Sequence, residues 1–234
     1  MKLTVAFPAY NEEATIGKTL IDAVRDLGAL GLSSETEILV IDNASRDRTA
    51  AIVDEFARAH PSVRCLRHPS NLGYAGSNLT AFREAKGDVV VVADGDGQVS
   101  LLDLPLFLAQ IEAGRKIVYG WRRVRHDPAV RIAVSFGLNI LSRLMLGWPW
   151  HDINCGYRAV TRDVAREVRT ARPVNYFGPE LWAVARLRGW TVGEVEIRHF
   201  AREGGEGLHS AFRLPRAMMT AFGYLLDLRR SLRK

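Results

Sequence analysis

The stretch Val89-Val90-Val91-Val92-Ala93-Asp94-Gly95-Asp96-Gly97-Gln98 decides the fold. Four valines and an alanine read as a strand buried on both faces, as in a parallel sheet. The run stops on two aspartates spaced by glycine, with an amide two residues later. Asp94, Asp96 and Gln98 carry oxygen donors, the hard ligands that Mg²⁺ and Mn²⁺ prefer. Gly95 and Gly97 let the backbone bend and leave room for a phosphate. In an open α/β sheet this cluster falls beyond the carboxyl ends of the strands, where ligands bind.

Working outward, residues 3 to 8 form an apolar strand that Pro8 stops. Ile16, Leu20, Ala23, Val24 and Leu27 predict a helix from Glu12 to about Leu27, with Asn11 as its cap. A strand over Glu37–Ile41 ends on Asp42-Asn43-Ala44-Ser45, and a helix follows from about Arg48 to Ala59. A third strand near Val63–Arg67 leads to Pro69-Ser70-Asn71-Leu72-Gly73, then a helix from about Ala75 to Ala85. Strand alternates with helix throughout the first hundred residues, which predicts a doubly wound, mostly parallel sheet. Tyr10-Asn11-Glu12, Asp42-Asn43, Asn71 with Gly73, and the Asp94–Gln98 run then share one sheet edge and one site. No G-x-G-x-x-G and no G-x-x-x-x-G-K-[ST] occurs, so dinucleotide and P-loop sites lose their main support.

The chain has 234 residues, 47% of them hydrophobic and 25% charged, enough for one α/β domain with an appendage. Cys65 and Cys155 have no metal-ligand spacing and suggest a reducing compartment. Met1-Lys2 runs straight into a strand, which reads as no secretory signal, and no uninterrupted apolar run approaches the ~18 residues of a membrane span. A cytoplasmic location is expected. The net charge of +6 concentrates in residues 115–131 and 211–234, each with an excess of five positive charges. Phosphate or a charged lipid surface is the expected partner class. No nucleic-acid-binding pattern is present, and none is expected as partner.

Downstream, a helix over about Leu101–Ala113 and a strand over Lys116–Tyr119 lead to the basic loop around Arg122, Arg123 and Arg125. Residues 129–146 are mostly apolar, yet Arg131, Ser135, Asn139 and Ser142 recur in one narrow helical stripe. That pattern suits a lipid-facing helix with a phosphate-holding seam, or a buried helix whose stripe lines a wet groove. Helix 177–189 carries Glu180, and a strand spans Val192–His199. The loop from Phe200 to Gly207 is glycine-rich, as a mobile lid would be. From Pro215, Met218, Met219, Phe222, Leu225 and Leu226 repeat at helical spacing. This basic amphipathic segment either docks on the core or lies on an anionic membrane, the second being favoured.

Phe7-Pro8-Ala9-Tyr10-Asn11-Glu12-Glu13, Val40-Ile41-Asp42-Asn43-Ala44-Ser45-Arg46-Asp47-Arg48-Thr49, Asn71-Leu72-Gly73-Tyr74 and the D-x-D-x-Q run, in that order, resemble family 2 glycosyltransferases of the GT-A fold. The polyprenyl-phosphate (dolichyl-phosphate) mannosyl- and glucosyltransferases are the most similar subgroup, over roughly residues 3 to 205. The resemblance implies a Rossmann-like doubly wound sheet with acceptor-side helices toward the C-terminus. Residues 1–210 form that domain, with 1–100 the nucleotide-sugar and metal half, 101–210 the acceptor half, and 211–234 the terminal helix. It implies nucleotide-sugar contacts from Pro8, Tyr10, Asn11, Glu12, Asp42, Asn71, Gly73, Asp94 and Arg202. Asp94, Asp96 and Gln98 would hold Mg²⁺ or Mn²⁺, and Arg122, Arg131 and Ser135 the acceptor phosphate. Asp96, Arg122, Arg131 and Ser135 are thus the expected catalytic set. Asn43 stands where a second acid is usual, Cys155 where a serine is usual, and His209, before Ser210, near an expected lysine. Asp152 and Arg158 are expected to pair with each other or to form the site floor.

The implied activity is inverting, metal-dependent transfer of a hexose from a nucleotide sugar (GDP-mannose or UDP-glucose type) to a polyprenyl phosphate. It would occur on the inner membrane face, with the chain bound peripherally and room for a membrane-protein partner or a second copy. The alternatives are a hydroxyl acceptor, with Asp152 as base, and a nucleotide-binding, membrane-docking module without turnover.

Overall fold

In the computed structural model, which describes residues 1–169, 177–202 and 214–232, the apolar stretches become strands. These are β1 (Leu3–Ala9), β2 (Thr36–Asp42), β3 (Val63–Arg67), β4 (Val89–Val92), β5 (Ile117–Trp121), β6 (Arg158–Thr161) and β7 (Val192–Glu196). Among the described residues they form one sheet in the order β3-β2-β1-β4-β6-β5-β7. All pairings are parallel except those of β6, which runs antiparallel between β4 and β5. The helices are α1 (Ile16–Ala29), α2 (Thr49–Ala59), α3 (Gly73–Glu84), α4 (Leu104–Glu112), α5 (Ala129–Leu146), α6 (Arg162–Glu167), α7 (Phe177–Arg188) and α8 (Leu214–Ser231).

The valine run is continuous because both sheet faces are covered. Val89 and Val91 pack with Leu20 and Leu27 of α1, whereas Val90 and Val92 pack with Leu79 and Phe82 of α3. Alternation is hidden when each face of a strand meets its own layer of helices. A third cluster joins Leu138 and Leu146 of α5, Ala183 of α7, and Tyr224, Leu225 and Leu228 of α8.

Four expectations change. Pro8 does not stop β1, which runs to Ala9 with Pro8 paired to Ile41. Its carbonyl accepts from Gly95 N at 3.4 Å, beyond the last β1–β4 pair at Ala6 and Val92, so the proline falls where that ladder ends. Asn11 is not a helix cap: α1 starts at Ile16, and Asn11 sits in the left-handed region at φ +55°. β6 was not foreseen; it is four residues long and opens on a charge. The terminal helix spends its apolar residues Leu225 and Leu228 on α5 and α7 instead of leaving them to a membrane.

α5 itself is 18 residues long with a mean hydropathy of 1.5, enough by length and composition to cross a bilayer. The expectation from uninterrupted runs overlooked it because polar residues interrupt the apolar ones. Two of those residues point inward: Ser142 is buried, and Asn139 Oδ1 accepts from Ile153 N at 3.0 Å.

Candidate active site

The loops after β1 and β2 interlock through side chains that satisfy each other's backbone. Asn11 N donates to Ser45 Oγ at 3.0 Å, and Asn11 Oδ1 accepts from Arg46 N at 2.9 Å. Glu12 N donates to Thr49 Oγ1, and Glu13 Oε2 accepts from Arg48 N. Asp42, buried at the end of β2, accepts from Ser45 N at 3.0 Å, closing the turn locally. Asn43 reaches the third loop: its Nδ2 donates to Asn71 Oδ1 and to Gly73 O, while its Oδ1 accepts from Leu72 N and meets His68 Nδ1 at 2.9 Å. A carboxylate there would face two acceptors, so the amide suits this network. Asp42, Asn71 and Gly73 thus lie at one sheet edge, with Pro8, Tyr10, Asn11 and Glu12 beside them.

The aspartate loop emerges at the same edge. Gly95 lies so close to β1 that a Cβ would stand 3.2 Å from Pro8 O, and Gly97 has φ +74°. Tyr74, to which no role was given from sequence, donates its hydroxyl to Asp94 Oδ1 at 3.1 Å. Burial, then the Asp94 carboxylate, hold that phenol well above its ordinary range, so it keeps the proton it donates. Gly156 completes the clamp: a Cβ there would lie 2.0 Å from Asp94 Oδ2.

Asp96 is buried, and burial followed by repulsion from Asp94 pushes its carboxyl up to about 6. Arg202 answers part of that charge, 3.5 Å from Asp96 and 2.7 Å from Glu12. Gln98 Nε2 donates to Phe200 O at 3.3 Å, which leaves the amide oxygen as the atom to offer a cation. Among the described residues no group of three His, Cys, Asp or Glu is arranged for a metal. Two crowded carboxylates and an amide oxygen nevertheless fit a hard divalent cation that takes its remaining ligands from phosphates and water. The donor set fits Mg²⁺ or Mn²⁺.

Asp94, Asp96 and Gln98 line one recess together with Arg122, Arg131 and His199. Residues of the first hundred and of the later part of the chain therefore meet at the aspartate loop. Arg122 lies almost wholly out of solvent and donates to both oxygens of Asp152, at 2.7 and 3.1 Å. The expected Asp152–Arg158 pair does not form. Arg158 is buried instead over the rings of Tyr119 and Phe177, its Nε and Nη1 without a hydrogen-bond partner among the described residues. Its side chain starts from β6, opposite Val92 and Tyr119, and β6 was the strand the sequence hid. Arg131 opens α5 and lies 3.3 Å from Asp127. One turn on, Ser135 Oγ is buried with no partner among the described residues. Cys155 is a free, buried thiol that burial pushes up to about 12, so it packs and does not react. The lid residues beyond Arg202, with His209 and Ser210, lie outside the described residues.

Residues 4–169 match the model of Glycosyl transferase family 2. The chain belongs to that family. Among its members, the chain is similar to a dolichyl-phosphate beta-glucosyltransferase of Trichomonas vaginalis, 28% identical over 215 residues, which cover 85% of this chain and 66% of that one. It is also similar to an undecaprenyl-phosphate 4-deoxy-4-formamido-L-arabinose transferase of Pseudomonas aeruginosa, 29% identical over 91% of this chain and 61% of that one. The chain thus spans less than two thirds of the length of these curated relatives. A solved structure of glucosyl-3-phosphoglycerate synthase from Mycobacterium tuberculosis, in complex with Mn²⁺, UDP-glucose and phosphoglyceric acid, has a TM-score of 0.72 at 21% identity, covering 97% of this chain and 80% of that one. That likeness is one of fold, and the fold is GT-A.

Proposed function

We propose that this family 2 chain transfers a hexose, with inversion, from a nucleotide sugar to a polyprenyl phosphate on the cytoplasmic face of a membrane. The observation that carries the proposal is the single recess in which the aspartate loop meets Arg122 and Arg131. Both relatives named above are transferases to polyprenyl phosphates, which supports the same acceptor class here.

In this reading Pro8, Tyr10, Asn11, Glu12, Asp42, Asn71 and Gly73 form the nucleotide wall, and Asp94, Asp96 and Gln98 face the diphosphate. A bound Mg²⁺ or Mn²⁺ would offset the charge of the departing nucleoside diphosphate. Arg202, already beside Asp96, would turn to the same oxygens. The acceptor phosphate is an anion at neutral pH, so one of its oxygens can attack the anomeric carbon as the carbon–diphosphate bond breaks, without a general base. Arg122, Arg131 and Ser135 would hold and aim it, and positioning of this kind supplies much of a transfer rate. A hydroxyl acceptor would need a base, and the candidate, Asp152, is only 4% exposed with both oxygens occupied by Arg122. That pairing favours the phosphate.

The outer face of α5 supports membrane attachment. Val130, Phe136, Ile140 and Leu144 stand exposed along it, Phe136 at 66% and Leu144 at 71%. Arg131 starts the same helix, so a lipid phosphate at the bilayer surface comes within its reach. Arg229 and Arg230 at the end of α8 add positive charge suited to anionic headgroups.

The test is a donor screen with GDP-mannose, UDP-glucose, UDP-galactose and UDP-N-acetylglucosamine, each with Mn²⁺ and farnesyl phosphate. A lipid-linked sugar from one donor, lost with EDTA and in Arg131→Ala, is expected. Donor binding with no lipid product would move the acceptor to the hydroxyl class, and no turnover with any acceptor would leave a binding module.

A further inference from the structure

Asp127 is the lone acid in the basic run 115–131, and its side chain is only 1% exposed. Its Oδ2 accepts from Arg125 Nε at 2.9 Å and Nη2 at 2.6 Å, while its Oδ1 lies 3.3 Å from Arg131 Nη1. His199 approaches from the far side, its Nε2 3.9 Å from the Oδ2 that Arg125 holds. The His199 Nδ1 accepts from His126 N at 3.2 Å, which leaves the ring proton on Nε2, the nitrogen on the Asp127 side. His126 Nδ1 in turn meets His199 O at 2.6 Å.

The next residue faces the other way. Phe200 N donates to Gln98 O at 2.9 Å, and Phe200 O accepts from Gln98 Nε2. Two residues later Arg202 reaches Glu12 and Asp96. Segment 197–202 is therefore a strap, tied through His199 to the acceptor loop and through Phe200 and Arg202 to the metal loop.

We propose that Asp127 is a positioning residue for the acceptor phosphate: it directs the Arg131 guanidinium and, through His199, locks the acceptor loop to the strap that carries Arg202. This role presupposes the polyprenyl-phosphate acceptor proposed above. Arg131 is 44% exposed and sits in the first turn of a helix, so a rotamer-rich side chain would otherwise sweep a wide arc. The contact with Asp127 limits that arc. Because Asp127 Oδ1 has no hydrogen bond among the described residues, the guanidinium can tilt onto a phosphate without breaking one.

Positioning and bulk charge predict opposite signs, which makes the proposal testable by steady-state kinetics with farnesyl phosphate and the donor active in the screen. Removing a negative charge beside the acceptor would by itself tighten anion binding. If Asp127 positions, Asp127→Asn instead raises the acceptor KM by about tenfold while the donor KM stays within about twofold. Asp127→Asn combined with Arg131→Ala is then at most about threefold worse than Arg131→Ala alone, the share carried through His199, because the two substitutions remove the same arginine contact. A lower or unchanged acceptor KM in Asp127→Asn, with a raised one in Arg131→Ala, overturns the proposal. An unchanged KM in Arg131→Ala overturns the acceptor site itself, a separate result. Should Asp127→Asn fail to fold, His199→Gln keeps both arginine pairs and removes only the imidazole that stands between Asp127 and the His126 backbone. It is expected to raise the acceptor KM by about threefold, and no change would overturn the proposal.

Discussion

Tyr74 and Gly156 set the direction of Asp94 from opposite sides, one by donating a hydrogen bond and one by lacking a Cβ. Partners that orient a ligand are worth about 10- to 100-fold in metal affinity. If Asp94 holds the metal as proposed, Tyr74→Phe weakens Mn²⁺ binding by about tenfold, read by electron paramagnetic resonance with UDP present. Unchanged binding would mean that Asp94 needs no orienting hydroxyl. Neither residue was assigned a role from sequence, since nothing local marks Tyr74 as the partner of a carboxylate twenty positions on. His199 gives a second residue-scale test. Burial, then the charge of Arg122, lower its ring to about 4, with Arg125 and His126 adding to this and Asp127 opposing it. The unfolded chain, with an ordinary value near 6.5, takes up the proton first as pH falls. The stability owed to a neutral His199 is thus full above about 6.5 and lost between there and 4. Tm should drop across that window, and His199→Gln should flatten the drop. An equal drop in the variant would show that other groups carry it.

Among the elements, α5 buries Ser142 beside Leu138 and Leu146 while Phe136, Ile140 and Leu144 stand exposed on its outer face. Its length, limits and stripe were legible because 3.6-residue periodicity survives any context. If its outer face meets lipid, Phe136→Asp with Leu144→Asp should weaken binding to phosphatidylglycerol vesicles by at least about tenfold in a flotation assay. The far-UV spectrum should not change, since both side chains are exposed. Equal vesicle binding would assign membrane contact elsewhere. β6 was illegible for the opposite reason. It has four residues, a buried arginine at its start and an antiparallel place that only neighbours β4 and β5 define. Short strands are selected by the ladder they complete more than by their own propensity.

At the scale of the molecule, one cluster ties α8 to α5 and α7, so the expected boundary at residues 210 and 211 becomes a thermodynamic question. Leu225 is fully buried there. Leu225→Ala should cost about 2–5 kcal/mol. If α8 belongs to the cooperative unit, calorimetry will show one transition at lower temperature; two transitions would restore 211–234 as a separate appendage. The two other clusters, one on each side of the sheet, explain why the α/β class could be read early. A doubly covered strand must be apolar at every position, and the loops at its carboxyl end are released from that demand and can carry carboxylates and amides.

What the sequence determined by itself was therefore everything with a local or ordered signature: the alternation of strand and helix, the oxygen-rich loop after β4, the stripe on α5 and the family. Tertiary structure alone decided the pairings among charges. Arg122 took Asp152 in place of Arg158, Asp127 gathered Arg125, Arg131 and His199, and Arg202 bridged Glu12 and Asp96. An arginine can reach any acid that folding brings within a few ångströms, and separation along the chain carries no information about which one that will be.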